Sequence, residues 1–175
     1  MTEYMPNLYF RFMAFEFKIR DLFSPRKNII ANIGIKPGDS VLDYGCGPGS
    51  YVVPVSRLIG ETGRIYGLDI HPLAIKYVQD LSKKKRLTNV TTIQSGNDTG
   101  LPDNCIDIVL FYDVLHGLPQ LEPIFRELHR VLKPSGILSV NDHHLKEDDI
   151  KSRFMRYGLF RFKEETRHAT SFSKV

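Results

Sequence analysis

Short β-rich runs alternate with helical patterns along most of this chain, and that alternation limits the possible folds more than any other feature. Parallel strands need a crossover between them, and a helix supplies it. Repeated crossovers build a doubly wound, mostly parallel sheet with helices on both faces. Residues 40–44, 64–69, 90–94, 106–111 and 137–141 read as strands. Residues 106–111 are nearly continuous in apolar character, as suits a central strand covered on both faces. Helical patterns fall at 48–59, 72–86, 120–132 and 148–157, with Lys133-Pro134-Ser135-Gly136 as a stop signal. Residues 160–166 and 170–175 read as two closing strands forming an antiparallel pair. A length of 175 residues predicts a single compact unit.

Composition removes several classes. With 42% hydrophobic and 25% charged residues the chain is neither disordered nor fibrous. Two cysteines, Cys46 and Cys105, make no disulfide framework and point to a reducing compartment. The start lacks a basic stretch followed by an apolar run, and no uninterrupted apolar segment of about 18 residues exists to span a bilayer. The expectation is a cytoplasmic protein. The net charge of +4 is mild, and the largest basic run, residues 83–86, reads as the solvated end of a helix.

The chemistry concentrates at Val41-Leu42-Asp43-Tyr44-Gly45-Cys46-Gly47-Pro48-Gly49-Ser50, a strand running into closely spaced glycines and then a helix. Such a turn lets a ligand approach main-chain N–H groups at the carboxyl end of a strand. A dinucleotide site wants Gly or Ala at the third position of its fingerprint, where Ser50 stands. Pro48 also removes a donor at the expected helix start. Asp43 would repel a pyrophosphate, yet it could hold the ammonium of an amino acid. Asp69 ends the second strand, where a carboxylate can accept hydrogen bonds from ribose hydroxyls.

At these residues the chain resembles the class I S-adenosylmethionine-dependent methyltransferases, and within them the small-molecule group that includes quinone-ring C-methyltransferases. The resemblance spans residues 36–175 through VLDYGCGPGS (41–50), GLDIHPLAI (67–75), SGNDTGLPDNCIDIVLFYDVLHGL (95–118) and ELHRVLKPSGILSV (127–140). It implies a Rossmann-like, seven-stranded sheet with the last strand antiparallel, and S-adenosyl-L-methionine as cofactor. It also implies roles. Asp43 lies near the methionine ammonium, Gly45 and Gly47 line the methionine, and Gly49 permits the turn. Asp69 takes the ribose hydroxyls, and Ile70 packs on the adenine. Asn97 meets the adenine amine, with Asp98 departing from the family's usual Ala beside it. Tyr112 and Asp113 form the lip where cofactor meets substrate.

Methyl transfer from a sulfonium needs a base only when the acceptor must lose a proton. His116, Asp142, His143 and His144 are the candidates, in loops after the fourth and fifth strands, with the three histidines preferred. In an extended segment His143 and His144 would point to opposite faces, so only one should reach a pocket. That spacing also suits two metal ligands poorly, and no metal is expected. Both cysteines read as packing residues. The Asp113-Val114-Leu115-His116 stretch lacks the aromatic tetrapeptide that nucleic-acid amino-methyltransferases place there, so a small acceptor, apolar or aromatic, is expected rather than a base in DNA or RNA. Two alternatives remain open: a non-catalytic cofactor-binding partner subunit and, remotely, a nicotinamide oxidoreductase.

Five of the eleven Phe lie between Phe10 and Phe23. Leu8, Phe12, Phe15, Ile19 and Leu22 recur as a helical stripe, while Phe10 and Phe17 fall off it. Residues 1–35 are therefore expected to form an aromatic-rich helical cap on a 36–175 core. The cap could pack on the sheet, act as a substrate lid, or meet a membrane surface or a second copy through residues 8–23.

Overall fold

The computed structural model describes residues 4–24 and 26–175; residues 1–3 and 25 of the expected cap lie outside the described residues. The strands are β1 (Ser40–Tyr44), β2 (Arg64–Asp69), β3 (Val90–Gln94), β4 (Ile106–Tyr112), β5 (Leu132–Asn141), β6 (Phe160–Glu165) and β7 (Thr170–Lys174). They form one sheet in the order β3-β2-β1-β4-β5-β7-β6. All neighbours from β3 to β5 pair in parallel, and β7 runs antiparallel to both β5 and β6. The expected doubly wound, mostly parallel sheet is thus observed, with β7 as its reversed strand. The strand order turns back between β1 and β4, so their carboxyl ends border a crevice of the kind that holds ligands in such sheets.

Period-two alternation sorts the apolar runs onto two faces. Val109 and Phe111 join one core with Leu42, while Ile108, Leu110 and Tyr112 join the other with Val41. The first is closed by α5 (Glu122–Val131) and α6 (Glu147–Met155), through residues such as Phe125, Leu128 and Phe154. The second is closed by α2 (Lys27–Ile30), α3 (Val52–Ile59) and α4 (Pro72–Lys85), through Ile30, Val55, Ile59 and Val78. Burial on both faces explains why β4 reads as a nearly continuous apolar string, broken by Asp107 alone.

Three sequence expectations need correction. The helix after the glycine turn begins at Val52, not at residue 48. Pro54, not Pro48, sits in its first turn, where a missing N–H costs nothing. Residues 133–136 do not separate α5 from a strand starting at 137; they belong to β5 itself. Leu132 pairs with Ile106 and Ile137 with Ile108, so the four residues between them bulge from the ladder. Lys133 there holds Asp107 at 2.7 Å.

The third concerns α1 (Asn7–Phe23). The expected stripe is helical, but it is the outer face. Leu8, Phe12, Phe15, Ile19 and Leu22 are all exposed, whereas Phe10 and Ala14 are buried against Ala74. The opposite side docks because Phe10 stacks on His71 at 4.2 Å, and the His71 ring is itself fixed at the start of α4. Its Nδ1 accepts from the Leu73 N–H, and its Nε2–H donates to the Met5 carbonyl at 2.9 Å.

Candidate active site

The glycine turn follows β1 at the crevice. Gly45 has φ +75°, and a Cβ there would come within 2.4 Å of Val114 Cγ2, so the turn tolerates no side chain at that point. Four main-chain donors of the turn, those of Gly45, Cys46, Gly47 and Gly49, are already engaged, contrary to the sequence expectation. The N–H groups of Gly45 and Cys46 both donate to the Leu68 carbonyl, and that of Gly49 donates to the Cys46 carbonyl. Gly47 N–H donates to Asp69 Oδ2 at 2.9 Å. The N–H groups of the glycine turn itself are therefore engaged within the chain, and Pro48 has none, which disfavours a pyrophosphate at the glycines. A Cβ on Gly47 would meet nothing within 4 Å, so the chain leaves space beside the turn.

Two carboxylates stand at this edge. Asp43 is 2% exposed, and its Oδ2 has no hydrogen-bond partner among the described residues. Burial, reinforced by the charge of Asp69, pushes its carboxyl up to about 7. A buried, unpartnered carboxylate oxygen is costly unless a cation or donor meets it. Asp69 takes Gly47 N–H on one oxygen and His71 N–H on the other, at 2.8 Å. Its carboxyl is raised by burial, a rise opposed by those N–H groups. Each oxygen keeps a second lone pair for further donors. A space beside Gly47, a buried acceptor without a partner and a second carboxylate with lone pairs to spare are features that S-adenosylmethionine, with its ammonium and ribose hydroxyls, would fit.

Ile70 is half-buried beside Asp69. Asn97 and Asp98 are exposed on the loop after β3, and Asp98 Oδ1 is engaged by Gly100 N–H at 2.8 Å. Tyr44 anchors that loop by donating its hydroxyl to the Gly96 carbonyl, and Glu127 of α5 anchors it further through Thr99. Tyr112 is placed differently from the expected lip. Its side chain is buried in the core with its hydroxyl 2.7 Å from Ser139 Oγ. Asp113, at the positive φ of 56°, turns out of β4. Such a backbone is uncommon for a non-glycine residue and often marks a functional turn.

The histidines gather on the β4–β5 side. Asp142 is 4% exposed and accepts the main-chain N–H groups of His116 and His144 as well as His116 Nδ1, the last at 2.9 Å. Burial raises its carboxyl, but the His116 and His144 donors outweigh this and hold it below the usual range. An ionised Asp142 accepts, so Nδ1 is the nitrogen of His116 that carries a proton in this contact. His143 Nδ1 pairs with Asp113 Oδ1 at 2.6 Å. The expectation that His143 and His144 face opposite ways is corrected. Residues 142–145 form a turn closed by Leu145 N–H on the Asp142 carbonyl, not an extended segment. The His144 ring lies 4.0 Å from that of His143 and 4.3 Å from that of His116. Among the described residues no group of three or more His, Cys, Asp or Glu is arranged to hold a metal ion.

Arg20 of α1 spans the crevice, a contact that sequence reasoning missed. It donates to Asp113 Oδ2 at 3.3 Å and to Ser50 Oγ at 3.4 Å, while lying over the Phe17 ring. The position had a signal only in retrospect, as a cation on the side of α1 opposite its apolar stripe. His71 was also missed, although its place before Pro72 marks a helix start. The Cys46 thiol is buried against Gly67 and pushed well up by burial, so it is an unsuitable nucleophile. Two surface hollows, of about 330 Å³ beside Lys83 and Thr92 and about 650 Å³ between Leu121 and Arg156, are lined by none of Asp43, Gly47, Asp69, Asp113 or the rim histidines.

A parallel sheet turning back at β1 and β4, with an acid-flanked glycine turn and an acid-ended second strand, defines the Rossmann-like methyltransferase class. Residues 35–169 match the model of a methyltransferase domain family, and the chain belongs to that family. The demethylmenaquinone methyltransferase of Geobacillus stearothermophilus is 32% identical over 114 residues, 64% of this chain and 48% of that protein. The sterol 24-C-methyltransferase ERG6B of Gibberella zeae is 33% identical over 135 residues, 73% of this chain and 35% of that protein. The chain thus spans about half the length, or less, of these relatives. A SAM-dependent methyltransferase from Aquifex aeolicus superposes with a TM-score of 0.75 at 25% identity, covering 89% of this chain and 95% of that one. The [4+2]-cyclase SpnF shares the fold at 21% identity, with a TM-score of 0.68 over 85% of this chain and 58% of its own. The fold alone therefore does not set the reaction.

Proposed function

We propose that this chain binds S-adenosyl-L-methionine at the β1–β4 crevice and directs its methyl group to a small, apolar acceptor. The observation that supports this most is the buried Asp43 carboxylate with an unpartnered oxygen beside an open glycine turn. In this reading Asp43 faces the methionine ammonium, Gly45, Gly47 and Gly49 shape the turn around it, and Asp69 accepts from the ribose. Ile70, Asn97 and Asp98 border the adenine, and Asp113 holds the acceptor side of the rim with Arg20. Bound there, the cofactor supplies an electrophilic methyl on a sulfonium, ready for in-line displacement. His116 takes a proton from the acceptor at Nε2, with Asp142 orienting the ring and stabilising its charged form. His143 and His144 complete the wall. The helix α1 acts as a cap over the rim, which it reaches through Arg20. The relatives' names, a demethylmenaquinone and a sterol methyltransferase, favour an apolar acceptor over a nucleic acid.

The test is incubation with methyl-labelled S-adenosylmethionine and a panel of demethylated quinones and sterols, followed by extraction into organic solvent. Label is expected in the organic phase, and His116→Gln should lower the rate by roughly 100-fold or more. Cofactor binding without any transfer would favour a non-catalytic partner subunit instead.

A further inference from the structure

The outer face of α1 is unexplained by the site beneath it. Leu8 is 81% exposed, Phe12 and Phe15 are each 60% exposed, and Ile19 and Leu22 extend the same stripe. Burying such side chains is favourable, and a contiguous exposed patch of this kind marks an interaction surface. The charges around it are uneven. Arg11 and Lys18, both exposed, lie one helical face away along a single flank, with exposed Lys27 just beyond the helix. Residues seven apart stand almost in line on a helix, so these two cations form a row parallel to the apolar stripe. Glu16 is the acidic residue exposed on the other flank. The inner face of the same helix reaches the crevice through Arg20.

We propose that α1 is an interfacial helix that docks the protein on an anionic lipid surface, laying its apolar stripe among the acyl chains while Arg11 and Lys18 reach the headgroups. Cations at the edge of an apolar face suit that geometry, since their stems cover apolar surface and their heads stay wet. One helix, about 10 Å across, then separates the bilayer from the Arg20–Asp113 contact. An apolar acceptor leaving the lipid would enter the crevice past its edge. That use of the surface rests on the methyl-transfer reading; the docking does not, and it is measured without cofactor or acceptor.

The experiment is co-sedimentation of the whole chain with vesicles of phosphatidylcholine containing about one-third phosphatidylglycerol, against phosphatidylcholine alone. The chain is expected to pellet with the anionic vesicles, and Phe12→Ser/Phe15→Ser/Ile19→Ser to abolish this while leaving the circular dichroism unchanged. Arg11→Gln/Lys18→Gln should weaken binding to the anionic vesicles by on the order of ten-fold and remove the preference for them. The proposal is overturned if the wild-type chain stays in the supernatant, or if the triple variant binds equally well. It is also overturned if sedimentation equilibrium without lipid shows a dimer that the triple variant loses, since the stripe is then covered by a second copy. Label transfer with a soluble acceptor in lipid-free buffer is scored separately, so loss of docking and loss of methyl transfer are distinguishable.

Discussion

Asp43 gives the site its electrostatic character. Its carboxyl, raised from the ordinary value to about 7 by burial and then by Asp69, keeps its proton in the folded chain across a window where the unfolded chain has lost it. Folding therefore takes up a proton between about pH 4 and 7, and stability falls as pH rises through that window. Asp43→Asn removes this dependence. Urea unfolding should show the variant gaining on the wild type between pH 4 and pH 8, by up to roughly 4 kcal/mol. An unchanged difference would mean that Asp43 is solvated in the fold. The residue was legible in the sequence because an acid just before a glycine turn is conspicuous. Its missing hydrogen-bond partner was not, since that depends on how β1 is flanked by Gly67 of β2 and Leu110 of β4. The pairing of His116 with Asp142, 26 positions apart, was likewise visible only once β4 and β5 were side by side.

Among the elements, α1 shows where pattern reading stops. Its period was plain, but period alone does not say which face is buried. The more numerous apolar residues look outward, and the docking face is set by two residues, Phe10 and Ala14, whose partners His71 and Ala74 lie far along the chain. Phe10→Ala should remove the ring stacked on His71 and cost about 3 kcal/mol of local stability. Because the two large cores of the sheet do not include Phe10, the effect should be confined to α1. Hydrogen exchange is expected to speed up in residues 7–23 while β1 and β4 stay protected. Global loss of protection would contradict this placement. The turn at residues 142–145 gives a second example. The expectation from sequence is an extended exit from β5, but the buried Asp142 carboxylate gathers the N–H groups of His116 and His144 in a turn.

For the whole molecule, the alternation of strand and helix was enough to anticipate a doubly wound, mostly parallel sheet, because parallel pairing and two-sided burial both leave marks in sequence, whereas the reversed strand β7 was implied by the family resemblance. The rim was legible in part. Asp43, the glycine turn, Asp69 and Asp113 all stand at the carboxyl ends where the topology turns back, whereas Tyr112 is drawn into the core. What stayed hidden were contacts between distant segments, above all Arg20 bridging Ser50 and Asp113. No helix among the described residues is long and apolar enough to cross a membrane. The central claim is that this rim binds S-adenosylmethionine, and calorimetric titration of that cofactor into the wild-type chain and Asp69→Asn tests it most directly. Saturable binding to the wild type, weakened roughly 10- to 100-fold in the variant through loss of charge-assisted hydrogen bonds to the ribose, is the predicted result. Absence of binding to the wild type, or equal affinity in the variant, would contradict it.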